Sequence, residues 1–120
     1  MVREDEFILN QYKMIVDMIG LFFKDSVEVV LHSLDNLENS VVYIHNGQKT
    51  CRTIGSPVTD KALKILAEFE DTNKRLFGPY KTVSHDGHVM KSVTTVIVNT
   101  QGRAIGMLCM NFDLDTPLSS

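Results

Sequence analysis

The last regular segment of the chain constrains the fold most. Between Arg103 and Asp113 the residues run AIGMLCMNF. Successive side chains of a strand point to opposite faces. Ile105, Met107 and Cys109 therefore share one face, and Ala104, Leu108, Met110 and Phe112 share the other. A strand apolar on both faces has to be covered on both. That places it at the centre of a sheet, beside the first strand.

The rest of the chain supplies partners for such a strand. Val27–Leu34 and Ser40–His45 read as strands rich in β-branched residues, joined by a polar turn at Asp35, Asn36 and Asn39. Their spacing predicts a hairpin, closed at its far end by Asn46–Gly47. Gly55–Ser56–Pro57 breaks the pattern, and Thr59–Asp60 opens a helix over Lys61–Glu70 with Leu63, Ile65, Leu66 and Phe69 as its apolar side. The polar stretch Asp71–Pro79 reads as a loop. Tyr80–Ser84, Val89–Asn99 and Arg103–Asp113 follow as strands, with Asp86–Gly87 and Gln101–Gly102 as turns. The reading is α+β: five antiparallel strands, an N-terminal helix, and a helical crossover after the second strand.

The N-terminal helix is predicted over Phe7–Lys24. Ile8, Tyr12, Ile15, Ile19 and Phe22 form a helical stripe, and Leu9, Met14, Met18, Leu21 and Phe23 widen it beyond one face. A helix apolar over so much of its circumference needs two surfaces to bury it. Either the helix packs wholly into its own core, or its own sheet is one surface and a partner chain the other; a homodimer is expected.

Length and charge exclude several classes. At 120 residues, with 43% apolar and 22% charged residues, the chain is one globular domain rather than a disordered segment. The net charge of -3, with no basic run, argues against nucleic-acid binding by this chain itself. No apolar stretch of about 18 residues encodes a membrane span. Three acids within residues 1–7 do not suit a secretory or transit peptide, so a cytoplasmic location is expected. Cys51 and Cys109 form no CxxC pair and read as reduced thiols.

No nucleophile elbow, P-loop, GxGxxG, HExxH or paired-carboxylate pattern is present, and no enzyme activity is expected. His85 and His88 flank the Asp86–Gly87 turn; two imidazoles and a loop acid make an incomplete metal site. Polar residues inside apolar strands are the better signal, because burying one without a partner costs about 1–3 kcal/mol. His32, Ser92, Thr94 and Asn111 are such residues. They either face a cavity and orient a small molecule, or satisfy one another and the backbone.

Three strings add a resemblance. EVVLHSLDNLENSVVYIHNG (Glu28–Gly47), GSPVTDKALKIL (Gly55–Leu66) and MKSVTTVIVNTQGRAIGMLCMNFDLD (Met90–Asp115) resemble, in order, the opening, middle and closing motifs of the YheO-like PAS domain family. Met107 and Met110 depart mildly from that family's GLLCIN core. The resemblance implies a PAS-like five-stranded antiparallel sheet with helices over one face. It also implies membership in bacterial transcriptional regulators, in which this domain precedes a helix-turn-helix; members have been tied to amino-acid metabolism, including D-arginine use. The chain stops after Leu118–Ser119–Ser120, so the expectation is a single regulatory domain over 1–120 (helix 1–24, PAS core 27–115, tail 116–120), with DNA reached only through a C-terminal domain that this chain lacks. Residues of the matching strings, among them Asn46, Ser56 and Thr59, join His32, Ser92, Thr94 and Asn111 as candidate contacts to a small metabolite. PAS domains elsewhere hold haem or flavin; no cysteine or histidine here matches those roles, and no cofactor is expected. The alternatives are a homodimerisation module without ligand and a metal- or cofactor-binding sensor.

Overall fold

The computed structural model describes residues 2–84 and 86–114. Helix α1 (Arg3–Phe23) leads into strand β1 (Val27–Ser33) through a short 3-10 turn, and β2 (Val41–His45) follows. Helix α2 (Asp60–Thr72) then crosses over to β3 (Leu76–Val83), β4 (Val89–Val98) and β5 (Ala104–Asp113). The five strands form one antiparallel sheet in the order β2-β1-β5-β4-β3. The last strand thus sits at the centre beside the first, as its two apolar faces require.

Helix α1 starts at Arg3, four residues before the Phe7 start expected from the sequence. Glu4, Asp5 and Glu6 fill its first turn, where negative charge meets the positive end of the helix dipole. Helix α2 is fixed at both ends: the Thr59 hydroxyl accepts from the Ala62 N–H at 3.2 Å, and Asn73 closes it in the left-handed region (φ 61°).

The stretch 71–79 is not all loop. Strand β3 begins at Leu76 and runs through Gly78 and Pro79, where the register on β4 shifts between Phe77 and Tyr80. Proline fits there because β3 is an edge strand and the position is a bulge. The bulge also changes the alternation: Phe77 faces α2, and so do Tyr80 and Thr82 beyond it.

The two helices lie on opposite faces of the sheet, not over one. Against α2 (Ala62, Ile65, Phe69) pack Val30, Val41, Phe77, Val96, Met107 and Cys109. Against α1 (Leu9, Val16) pack Val27, Val29, Leu31, Ile97, Ile105 and Leu108. The reason lies in the sequence of β5 itself: with apolar residues on both sides, each side needs a helix. A register shift between Ile97 and Val98 modifies the simple alternation of β5. It sends Ile105 to the α1 face and Ala104 to the α2 face.

Helix α1 crosses the sheet closely because two glycines allow it. A side chain at Gly20 would enter the His45 ring, and one at Gly106 would stand 2.6 Å from the His32 carbonyl and against Leu9. The core-facing side of α1 is Leu9, Val16 and Gly20 with Ile8, Tyr12, Ile15, Ile19 and Phe23. Phe22, placed in that stripe by its spacing, is instead 77% exposed. Phe7, Met14, Met18 and Leu21 are exposed with it.

Candidate functional site

The face of the sheet under α2 is not uniformly apolar. Its β1–β5–β4 centre carries Glu28, His32, Ser92, Thr94 and Asn111, all at most 5% exposed. Strand register explains the grouping. Glu28 pairs with Asn111, and Asn111 pairs with Ser92, so three neighbouring strands put polar side chains in one row.

These side chains form a chain of hydrogen bonds. Ser92 Oγ lies 2.8 Å from Thr82 Oγ1 and donates to Asn111 Oδ1 at 2.6 Å. Asn111 Nδ2 donates to Glu28 Oε1 at 2.7 Å, and the Thr50 hydroxyl donates to Glu28 Oε2. Arg52 brings its guanidinium to 3.7 Å from Glu28 Oε1. A buried carboxyl group without such partners would be strongly destabilising. Gly47 makes the Arg52 position available: its carbonyl accepts from the Arg52 N–H at 2.9 Å, and any side chain at Gly47 would collide with the Arg52 carbonyl.

Next to this row lies a cavity of about 100 Å3 between α2 and the sheet. His32, Thr94, Met107, Cys109 and Asn111 form its buried floor, with Ala62 and Ile65 of α2 as its roof. Arg52, Thr59, Lys61, Tyr80 and Thr82 form its more exposed rim. The Tyr80 hydroxyl and Thr94 Oγ1 are 2.8 Å apart, and the Lys61 ammonium stands 4.5 Å above the Tyr80 ring. Burial, then the charge of Arg52, lowers the His32 pKa to about 4, so the imidazole is neutral at pH 7. Its Nδ1 is 2.8 Å from Ser40 Oγ, which donates onward to the Ser56 carbonyl at 3.5 Å. That network assigns the ring proton to Nδ1 and the lone pair to Nε2. Burial pushes the pKa of both the Cys109 thiol and the Tyr80 phenol up, so both stay protonated.

Four of the seven candidate residues therefore line one cavity: His32, Thr59, Thr94 and Asn111. Ser92 stands directly behind Asn111. Asn46 and Ser56 lie elsewhere. Asn46 Nδ2 donates to the carbonyls of Asp25 and Val27, tying the end of β2 to the start of β1, and Ser56 Oγ accepts from the Thr53 N–H in the turn before α2. Of the turn after β3, His85 lies outside the described residues, as does the tail over 115–120. His88 stands 3.5 Å from Asp113 and 3.8 Å from Asp86. Among the described residues, no set of three His, Cys, Asp or Glu side chains is placed to hold a metal ion.

Sequence reasoning missed Glu28, Arg52, Lys61, Tyr80 and Thr82. Glu28 carried a signal: it is an acid inside an otherwise apolar strand next to the central one. Tyr80 and Thr82 required knowledge of the bulge. Arg52 lies in irregular chain, where no periodicity points inward.

A five-stranded antiparallel sheet with a crossover helix closing a cavity on one face defines a PAS domain. Two solved structures share the fold. One is a PAS domain from Colwellia psychrerythraea (TM-score 0.52, 19% identity, 84% of this chain and 97% of that one). The other is the PAS domain of the fruit-fly ELK potassium channel (TM-score 0.51, 13% identity, 83% and 97%). The chain belongs to the YheO-like PAS domain family, whose model matches residues 3–119. It is 43% identical to an uncharacterised Haemophilus influenzae protein over 97% of this chain and 52% of the relative. It is 41% identical to the uncharacterised protein YheO of Escherichia coli over 93% and 47%. It is 35% identical to the transcriptional regulator DauR of Pseudomonas aeruginosa over 88% and 47%. The chain spans about half the length of these curated relatives.

Proposed function

We propose that this chain is the sensing and dimerising domain of a cytoplasmic bacterial transcription regulator, with a small metabolite as its signal. DNA is reached through a separate domain. The observation that carries the reading is the cavity under α2, whose floor concentrates polar groups in an otherwise apolar core. The relationship to a named regulator supports the regulatory role. A ligand acts there only by binding two packings of the domain unequally. The test is made in a full-length regulator that carries this domain. Ala62→Leu fills the cavity from α2, and Thr94→Val removes a floor hydroxyl. Both are expected to abolish the response to effector while DNA binding persists. An unchanged response in both variants rejects the cavity as the sensor.

Dimerisation rests on a separate observation. Phe7, Met14, Met18, Leu21 and Phe22 are each at least 63% exposed, and Phe7, Met14 and Leu21 repeat every seven residues. With Met18 four residues beyond Met14, that spacing supports a helix-pairing seam on the side of α1 turned away from the sheet. The expected outcome is a dimer in sedimentation at micromolar concentration, converted to monomer by Met14→Glu with Leu21→Glu. A monomeric unmodified chain sinks this part of the reading and leaves the cavity untouched.

A further inference from the structure

We propose that the cavity under α2 selects a small carboxylate, with Arg52 as the group that recognises its charge. The inference rests on the sensing role proposed above and adds the ligand's chemistry. Two cationic side chains, Arg52 and Lys61, border the cavity, and among the described residues no acidic side chain lines it. Of the buried acids, Glu28 lies behind Asn111, with its two oxygens accepting from Asn111 and Thr50, and Asp113 lies further along β5 beside His88. Arg52 Nη1 stands 3.7 Å from Glu28 Oε1, an ion pair beyond hydrogen-bond range. A guanidinium presents a planar fork of N–H groups that matches a carboxylate in two parallel hydrogen bonds. Thr59, Lys61 and the start of α2 add donors and the positive end of a helix dipole on the same side.

Size sets the second limit. About 100 Å3 lies well below the roughly 300 Å3 at which drug-sized pockets begin. That size suits a short-chain acid better than an aromatic ring system. Neutral His32 offers the floor a hydrogen-bond acceptor at Nε2, which favours an acid bearing a hydroxyl or amino group beside its carboxylate.

The experiment is calorimetric titration of the 120-residue chain with five probes: lactate, pyruvate, inorganic phosphate, lactamide and propylamine. Lactate or pyruvate is expected to bind, and lactamide, the neutral counterpart of lactate, at least tenfold more weakly. Arg52→Gln is expected to weaken carboxylate binding at least tenfold, and Arg52→Lys less. Because Arg52 also stands beside a buried carboxyl, exposed Lys61→Gln is a second variant, expected to weaken binding severalfold with an unchanged melting temperature. Binding of phosphate but not of the carboxylates, or equal binding of lactate and lactamide, overturns the carboxylate assignment. So does preference for propylamine, and all three leave the cavity a sensor. Carboxylate binding that survives both Arg52→Gln and Lys61→Gln unchanged overturns the assigned site. If no probe binds, the carboxylate inference is rejected; if Ala62→Leu also leaves a full-length regulator's effector response intact, the sensing reading falls with it.

Discussion

His32 is a titratable side chain 1% exposed, and its depressed pKa is a statement about stability. The folded state binds the proton near pH 4, whereas an unfolded histidine binds it near 6.5. Stability from this residue is complete above about pH 6.5 and is lost as the pH falls toward 4, amounting to about 3 kcal/mol. Denaturant unfolding at pH 7 and pH 4.5 is expected to show a smaller loss for His32→Gln than for the unmodified chain. Equal losses would assign the acid sensitivity to carboxylates alone. The Glu28 row gives a second ordering. Asn111→Leu removes a donor to a buried carboxyl and is expected to cost roughly 2–4 kcal/mol. Ser92→Ala leaves that donor in place and costs about 1 kcal/mol. Equal costs would mean that Glu28 does not depend on Asn111. At this scale the sequence was half legible. His32, Thr94 and Asn111 stood out as polar residues in apolar strands, because a period of two exposes them. Arg52 did not, because an irregular segment carries no period.

The elements were read better than their ends. All five strands and both helices follow from periodicity and turn residues, and the central place of β5 follows from its two apolar faces. The errors lie where one local rule displaced another. Gly78–Pro79 reads as a loop, yet an edge strand accepts it as a bulge. The faces of Ala104 and Ile105 exchange because of an irregularity that strict alternation cannot express. Phe22 and Phe23 are adjacent, and spacing alone does not decide which turns inward; Phe23 does, edge-on to Phe112 at 5.9 Å between ring centroids. Gly106 lies where Leu9 of α1 comes down on the sheet. Gly106→Ala would press a methyl group onto the His32 carbonyl and Leu9, and is expected to cost about 1–3 kcal/mol in chemical unfolding. A neutral result would show that α1 is free to lift from the sheet.

For the whole molecule, α1 and α2 are the two covers of a single sheet. Trimming residues 2–24 would uncover Val29, Leu31, Ile105 and Leu108. An apolar face of that extent is an aggregation surface, so the trimmed chain is expected to elute as large species in size-exclusion chromatography. A well-behaved monomer would mean that the β1–β5 face tolerates water. The two apolar faces of β5 already asked for a cover on each side, whereas the fold resemblance implied helices over one; the structure follows the strand.

The thinness of the partition between those two covers matters for how a signal would travel. His32 turns its ring into the cavity, while its own carbonyl lies against Gly106, the point where Leu9 of α1 comes down on the sheet. In the proposed sensor, the ligand side and the seat of α1 would therefore be separated by a single pair of strands. A sensor built this way would need no relay of intervening side chains: an occupant that tilted the β1–β5 ribbon would shift the seat of α1 in the same movement, as pressure on one side of a drumhead is felt on the other.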